Sequence, residues 1–360
     1  MSIPPPRKSL MEARLAKVRV TPRPRQQAQE WPVQVVIFAV SAAVSLAVSV
    51  LLVSRLERVG ERLGLSEALL GLLAALAADA PEITSSVAAI AGGHGTVGIG
   101  VTLGSNVFNL AALLGLSAFI AGRIAFHRRA VILEGAVGLW IALLRLAVVA
   151  GLVGPSVGLL LALFVFVPYV AFSAVRPAER ARLRLPGRSS GWLARALAEE
   201  ESELAVAIRP RVGDRTDAIV ALGAVVVVVV ASVAMEEAAT SLGSGAGLPA
   251  IVVGGLILAG VTSLPNAVAA VYLASRGRGA ATLSEAFNSN ALNVIVGLLA
   301  PGAILGLADP SRDSQFVAAS YVILLTGSVV LALRGRGLDR RAGSIIIATY
   351  FLFAGVLATR

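Results

Sequence analysis

The stretch DAPEITSS sets two carboxylates, Asp79 and Glu82, on either side of a proline, inside a run that reads GLLAALAA before it and VAAIAGG after it. Residues three apart on a helix share a face. Pro81 between them has no N–H to give, so the carbonyl of Ala77 loses its helical partner. Carboxylate and bare carbonyl oxygens on one face are the ligands of a hard cation. Further along, Thr102, Ser105, Asn106 and Asn109 follow an i, i+3, i+4, i+7 stripe. Near the other end of the chain, Pro265 frees the carbonyl of Val261, and Glu285, Ser289 and Asn293 follow i, i+4, i+8. All of these side chains offer oxygen. Two such half-sites meeting would make an oxygen cage suited to Na⁺ or Ca²⁺. The hydroxyls and amides have a second possible use, as hydrogen bonds joining helices to one another.

An ionisable group in the middle of an apolar run is costly enough to need a purpose, and apolar runs dominate this chain. Of its 360 residues 57% are hydrophobic and 14% charged, with a mean hydropathy of +0.84, the composition of a membrane protein. With no cysteine and two histidines, neither a disulfide framework nor a thiolate metal site is available. About 20 apolar residues cross the hydrocarbon core as a helix. Ten runs of that order are found, near 33–54, 64–92, 96–122, 130–150, 152–175, 216–236, 247–275, 280–303, 315–333 and 342–358. Residues 1–32 precede them as a basic tail without the apolar core of a signal peptide, expected to be disordered or to lie on a surface. A long polar loop, 176–215, divides five runs (33–175) from five (216–360).

Shifting the sequence by 184 residues lays one half over the other without a gap. Pro81 meets Pro265, Gly95 meets Gly279, and Ser105, Asn106 and Asn109 meet Ser289, Asn290 and Asn293. Because each half holds an odd number of spans, the second copy enters the membrane from the opposite side. The expected fold is therefore an all-α integral membrane protein of about ten transmembrane helices, arranged as two inverted-topology repeats of five, an architecture of secondary transporters. Between the spans, 21 arginines gather on one side against Arg312 and Arg360 on the other. The positive-inside rule makes the first side, and with it loop 176–215, cytoplasmic. The seven basic residues of the tail fall on the other side and run against that rule. Short arginine clusters between apolar runs speak against nucleic acid as a partner. Anionic lipid or a partner protein is the expected contact of loop 176–215.

Other polar residues are read more plainly. Arg145 and Glu134 form a snorkelling or structural set. Glu236 and Glu237 end the sixth span at an interface, and His94 is solvated in its glycine-rich turn.

The segments ADAPE…GSNVFN and VTSLPN…NSNALN resemble the two α-repeats of the sodium/calcium exchanger family of cation/calcium antiporters. In that family the Glu after each Pro, with the Ser and the final Asn or Asp of each GSN motif, builds the ion sites. The resemblance implies Glu82, Ser105 and Asn109 from the first repeat and Thr262, Ser263, Asn266, Ser289 and Asn293 from the second. Asn266 replaces the second Glu of the pattern, and neither GSN motif ends in Asp. Asp79, where the family has Ser, and Glu285, where it has Asn, compensate by position. The implied activity is exchange of Ca²⁺, or a related cation, against Na⁺ or H⁺ by alternating access, in the plasma (inner) membrane. No cofactor and no enzymatic step are implied. The alternative is a non-transporting scaffold or sensor derived from such an exchanger.

Overall fold

Every apolar run long enough to cross a bilayer is helical in the computed structural model, which describes residues 24–65, 67–175, 192, 195–196 and 212–360. The first half comprises α1 (Pro24–Arg62), α2 (Glu67–Ala78), α3 (Ala80–Ala91), α4 (Gly95–Ala121), α5 (Arg128–Val149) and α6 (Pro155–Ala174). The second comprises α7 (Arg215–Gly245), α8 (Ala250–Thr262), α9 (Leu264–Ser275), α10 (Gly279–Val294, running on to Leu305), α11 (Arg312–Gly335) and α12 (Arg340–Ala358). Eight of these helices are long and apolar enough to span a membrane. The pairs α2–α3 and α8–α9, bent by 55° and 47°, complete ten spans.

The two bends have one cause. Pro81 and Pro265 each stand in the first turn of the second helix of a pair, where a missing N–H is harmless to the helix that follows and breaks the one before. The halves agree in finer detail as well. The turn after α3 closes through Gly93 at φ 83° and the turn after α9 through Gly277 at φ 75°, 184 residues on. These left-handed conformations favour glycine. Past the GSN motifs, α4 and α10 both loosen into π-helical stretches, Leu110–Leu116 and Ile295–Leu299.

Inside the bundle, Leu103, Val107, Leu110 and Leu114 of α4 pack with Phe287 of α10, Leu324 and Leu325 of α11 and Ile346 of α12. Helices α1 and α7 lie against each other at the edge. Ser45 meets Ser232 at 3.0 Å between them, and Asp217 of α7 receives Arg55 at 2.6 Å and Arg58 at 3.4 Å. Their outer faces, including Val36, Val40, Leu222 and Val226, are exposed and apolar, as a lipid-facing surface must be.

The pseudo-symmetry fails at one level. On the arginine-poor side, α4 and α8 touch through glycines. A Cβ on Gly104 would overlap the carbonyl oxygen of Gly255, and one on Gly100 would lie 3.0 Å from the Gly255 nitrogen. Small residues let helices approach this closely in a membrane. At the matching positions of α10 stand Ser284 and Asn288. They line a cavity of about 360 Å³ between α1, α2, α9 and α10 on the arginine-rich side. Gly104→Ala is therefore expected to lower the thermal unfolding midpoint by several degrees, overpacking costing about 1–3 kcal/mol. Gly260→Ala, with no atom within 4 Å of the added Cβ, is the control expected to leave it in place. Equal midpoints in differential scanning fluorimetry would remove the close contact as a source of stability.

Three sequence expectations change. The sixth span does not end at Glu236: α7 runs on to Gly245. Glu236 is buried, accepts from Thr240 at 2.9 Å and lies 3.2 Å from Nδ1 of His94. The turn carrying His94 thus docks on α7, which packs along α3 and gives both polar groups a partner. Of the two readings of Arg145, snorkelling falls and the structural one stands: it is fully buried, its guanidinium 4.1 Å from the ring centroid of Tyr321, where a π face takes the place of solvent. Finally, the helical chain carries two short antiparallel strands, β1 (Arg123–Ala125) and β2 (Gly337–Asp339), with Ile124 opposite Leu338. Three residues are too few to leave an alternating pattern. Loop 176–215 lies outside the described residues apart from 192, 195, 196 and 212–215.

Candidate cation site

Both helix breaks point into the centre of the bundle, and the polar residues of four elements meet there. Asp79, at the break between α2 and α3, and Glu82, in the first turn of α3, are 0% and 1% exposed. From the opposite break, Asn266 donates its amide to Asp79 Oδ1 at 2.6 Å and to Glu82 Oε1 at 3.5 Å. Ser289 of α10 donates to Asp79 Oδ1 at 2.6 Å, and the Asn293 amide donates to Glu82 Oε2. Asn109 of α4 donates to Ser289 Oγ at 3.3 Å and to Asn290 Oδ1 at 3.1 Å. Ser105 and Ser263 turn toward Glu82 from opposite halves. Among the described residues no basic side chain pairs with either carboxylate.

Behind this cluster the halves are clasped together. Asn106 donates its amide to the backbone carbonyl of Asn290 at 3.0 Å, and Asn290 returns the bond to Asn106 at 3.2 Å. Ser86 joins three elements, lying 2.8 Å from Thr102 Oγ1, from the Gly98 carbonyl and from the Gly297 carbonyl. The sequence placed Asn106 in the oxygen stripe, aligned it with Asn290 and left helix joining as the other use of such amides, which is the use both make of their N–H groups here. They are the central asparagines of both GSN-type motifs.

Eight of the ten expected site residues converge: Asp79, Glu82, Ser105, Asn109, Ser263, Asn266, Ser289 and Asn293. Thr262 and Glu285 make no side-chain hydrogen bond to the other eight among the described residues. The Thr262 hydroxyl donates back to the Leu258 carbonyl at 2.9 Å, and its lone pairs remain open. Glu285 lines the 360 Å³ cavity instead.

The chemistry of the cluster follows from what is left over. Six buried oxygens around the two carboxylates accept no hydrogen bond: Asp79 Oδ2, Ser105 Oγ, Asn109 Oδ1, Ser263 Oγ, Asn266 Oδ1 and Asn293 Oδ1. Such groups are costly in a dry interior, and a cation is what so many oxygens without donors can share. Among the described residues no three His, Cys, Asp or Glu side chains converge as a metal-holding group. The donor set is two carboxylates with neutral amides and hydroxyls, which suits an ion that binds and leaves.

A sequence profile described as "Sodium/calcium exchanger protein" matches residues 33–177 and 217–359, well over half of the chain. Sodium/potassium/calcium exchanger 4 of Homo sapiens is 28% identical over 123 residues, 32% of this chain and 20% of that one. The chain thus spans about a fifth of the length of that curated relative. Among solved structures, an H⁺/Ca²⁺ exchanger, CAX, is similar at a TM-score of 0.63 and 15% identity, covering 91% of this chain and 86% of that one. The sodium-calcium exchanger NCX_Mj is similar at 0.57 and 20%, covering 89% and 97%.

Proposed function

The chain belongs to the sodium/calcium exchanger protein family, and from that membership we propose that it is a secondary active cation antiporter. It moves Ca²⁺, or a related cation, against Na⁺ or H⁺. The observation that carries the proposal is the group of buried, unpartnered oxygens around Asp79 and Glu82 at the meeting of two broken helices. Cargo and counter-ion compete for those oxygens, and exchange follows from the competition. The ligand set is Glu82, Ser105, Asn109, Ser263, Asn266, Ser289 and Asn293, with Asp79 standing in for the glutamate that Asn266 replaces.

Alternating access is supported by the unequal packing of the two halves. One side is closed by the glycine contact between α4 and α8, while a cavity reaches Ala78, next to Asp79, from the other. Closing the open side while parting the glycines would present the same ligands to the opposite face. The reading is of a transporter and not of an enzyme, in the plasma (inner) membrane, with repeats 33–175 and 216–360 joined by a cytoplasmic loop. Ca²⁺ counter-flow in liposomes tests it: accumulation of labelled Ca²⁺ down an opposing Na⁺ or H⁺ gradient is expected. Its absence under both gradients would leave the scaffold or sensor reading.

Orientation has its own test. In a chain without cysteine, Ser189→Cys in the long loop is expected to resist a membrane-impermeant maleimide in intact cells and to react after permeabilisation. Labelling in intact cells would reverse the topology.

A further inference from the structure

Glu285 is an acid of the bundle that the cage does not use and that faces a cavity. It sits on α10 in the wall of the 360 Å³ cavity, with Ser284 on its own helix, Pro265 and Tyr272 on α9, and Glu57 and Ser54 across the cavity on α1. Its Oε2 is buried and has no hydrogen-bond partner among the described residues.

Of the cations near the cavity, Arg276 lies over the ring of Tyr272 at 5.2 Å and has no carboxylate partner among the described residues. Arg55 and Arg58, on the same helix as Glu57, are held by Asp217 of α7. The Asn288 amide, three residues on along α10, bonds Ser284 Oγ at 2.9 Å, and its oxygen accepts from Tyr169 at 3.3 Å. A buried, unpartnered carboxylate oxygen such as Glu285 Oε2 is costly, and a second carboxylate facing the same space adds to the cost. The two acids also have no mirror image. The position matching Glu285 in the first repeat is Val101, fully buried where α4 packs on α8, and the one matching Glu57 is Ser241. The charge is present only on the side where the structure is open.

We propose that Glu285 and Glu57 form a second cation subsite in this cavity, which holds a divalent ion, still partly hydrated, between solution and the cage. Two carboxylates on opposite walls are a ligand pair for a hard divalent cation that keeps several waters. A negative cleft with low-dielectric walls also raises the local concentration of cations. The subsite rests on the antiporter reading for its role in transport but not for its occupancy.

Equilibrium binding of labelled Ca²⁺ to the full chain in detergent tests occupancy directly. Wild type is expected to bind in two steps, and Glu285→Gln to lose the weaker one while keeping the tighter. Glu57→Gln, on a half-exposed side chain, is expected to weaken the second step about threefold and decides the matter if Glu285→Gln does not fold. In liposomes, Glu285→Gln is expected to raise half-saturating Ca²⁺ about tenfold from the arginine-rich face, with the opposite face unchanged. Isotherms identical to wild type in both variants would overturn the subsite. So would loss of both steps in a folded Glu285→Gln, or equal shifts from both faces, either of which would put Glu285 in the cage. Failure of the antiporter reading looks different: wild type would bind in two steps and carry out no counter-flow.

Discussion

Glu82→Gln is expected to abolish cation exchange while leaving the protein folded. Glutamine keeps the length of the side chain and an oxygen to accept from Asn293, and removes the charge. Taking away the carboxylate opposite a buried cation leaves that charge short of its partner, a loss of about 3–5 kcal/mol by analogy with a broken buried ion pair, and each 1.4 kcal/mol is about tenfold in affinity. Ion binding should weaken by at least about a hundredfold. The measurement is counter-flow in liposomes beside the size-exclusion profile and thermal midpoint of the same preparation. Wild-type flux from a monodisperse mutant would exclude Glu82 from the site.

The second expected result concerns the residue in which this chain departs from the family pattern. Asn266 bridges the two carboxylates as a neutral donor, 2.6 Å from Asp79 and 3.5 Å from Glu82. Asn266→Glu removes the bridge and adds a third negative charge at the same place. The Coulomb attraction of that charge for a divalent ion is twice that for a monovalent one at equal distance, and Ca²⁺ affinity follows the number of charged ligands. The ratio of Ca²⁺ to Na⁺ affinity is therefore expected to rise at least about tenfold, measured by paired isotherms above the carboxylate titrations. Without an ion the three carboxylates repel, so Ca²⁺ should raise the thermal midpoint of the mutant more than that of wild type. Equal changes for both ions, or none, would mean that Asn266 does not face the cation.

What the sequence revealed of this architecture was what depends on short stretches of chain. A bilayer sets the length of an apolar run, and a proline's missing N–H sets a break, so ten spans and the bends at Pro81 and Pro265 could be read residue by residue. What escaped depends on partners far along the chain. Glu236 looked like the end of a helix because nothing near it in sequence announces His94, 142 residues away. Arg145 stayed between snorkelling and a structural role because the neighbour that decides it, Tyr321, lies on another helix of the other repeat. Glu285 was grouped with Ser289 and Asn293 because all three share a helix face. Eight residues of helix rise about 12 Å, however, so one end of that stripe lies in the cage and the other in the cavity wall. Periodicity tells which way a residue faces and is silent on how deep it stands.

The reciprocal bonds between Asn106 and Asn290 have a consequence for the origin of the chain. Each donates to the backbone of the other, the pattern of an isologous contact, in which residue i touches j and j touches i across a two-fold axis. Two separate copies of a five-helix protein, inserted in opposite senses, would have met at this same asparagine. Such a residue binds its own counterpart, so while the copies are identical any substitution there is made twice at once. After fusion the two positions can mutate separately, but each backbone carbonyl still needs the other's amide, which ties the halves together at this contact.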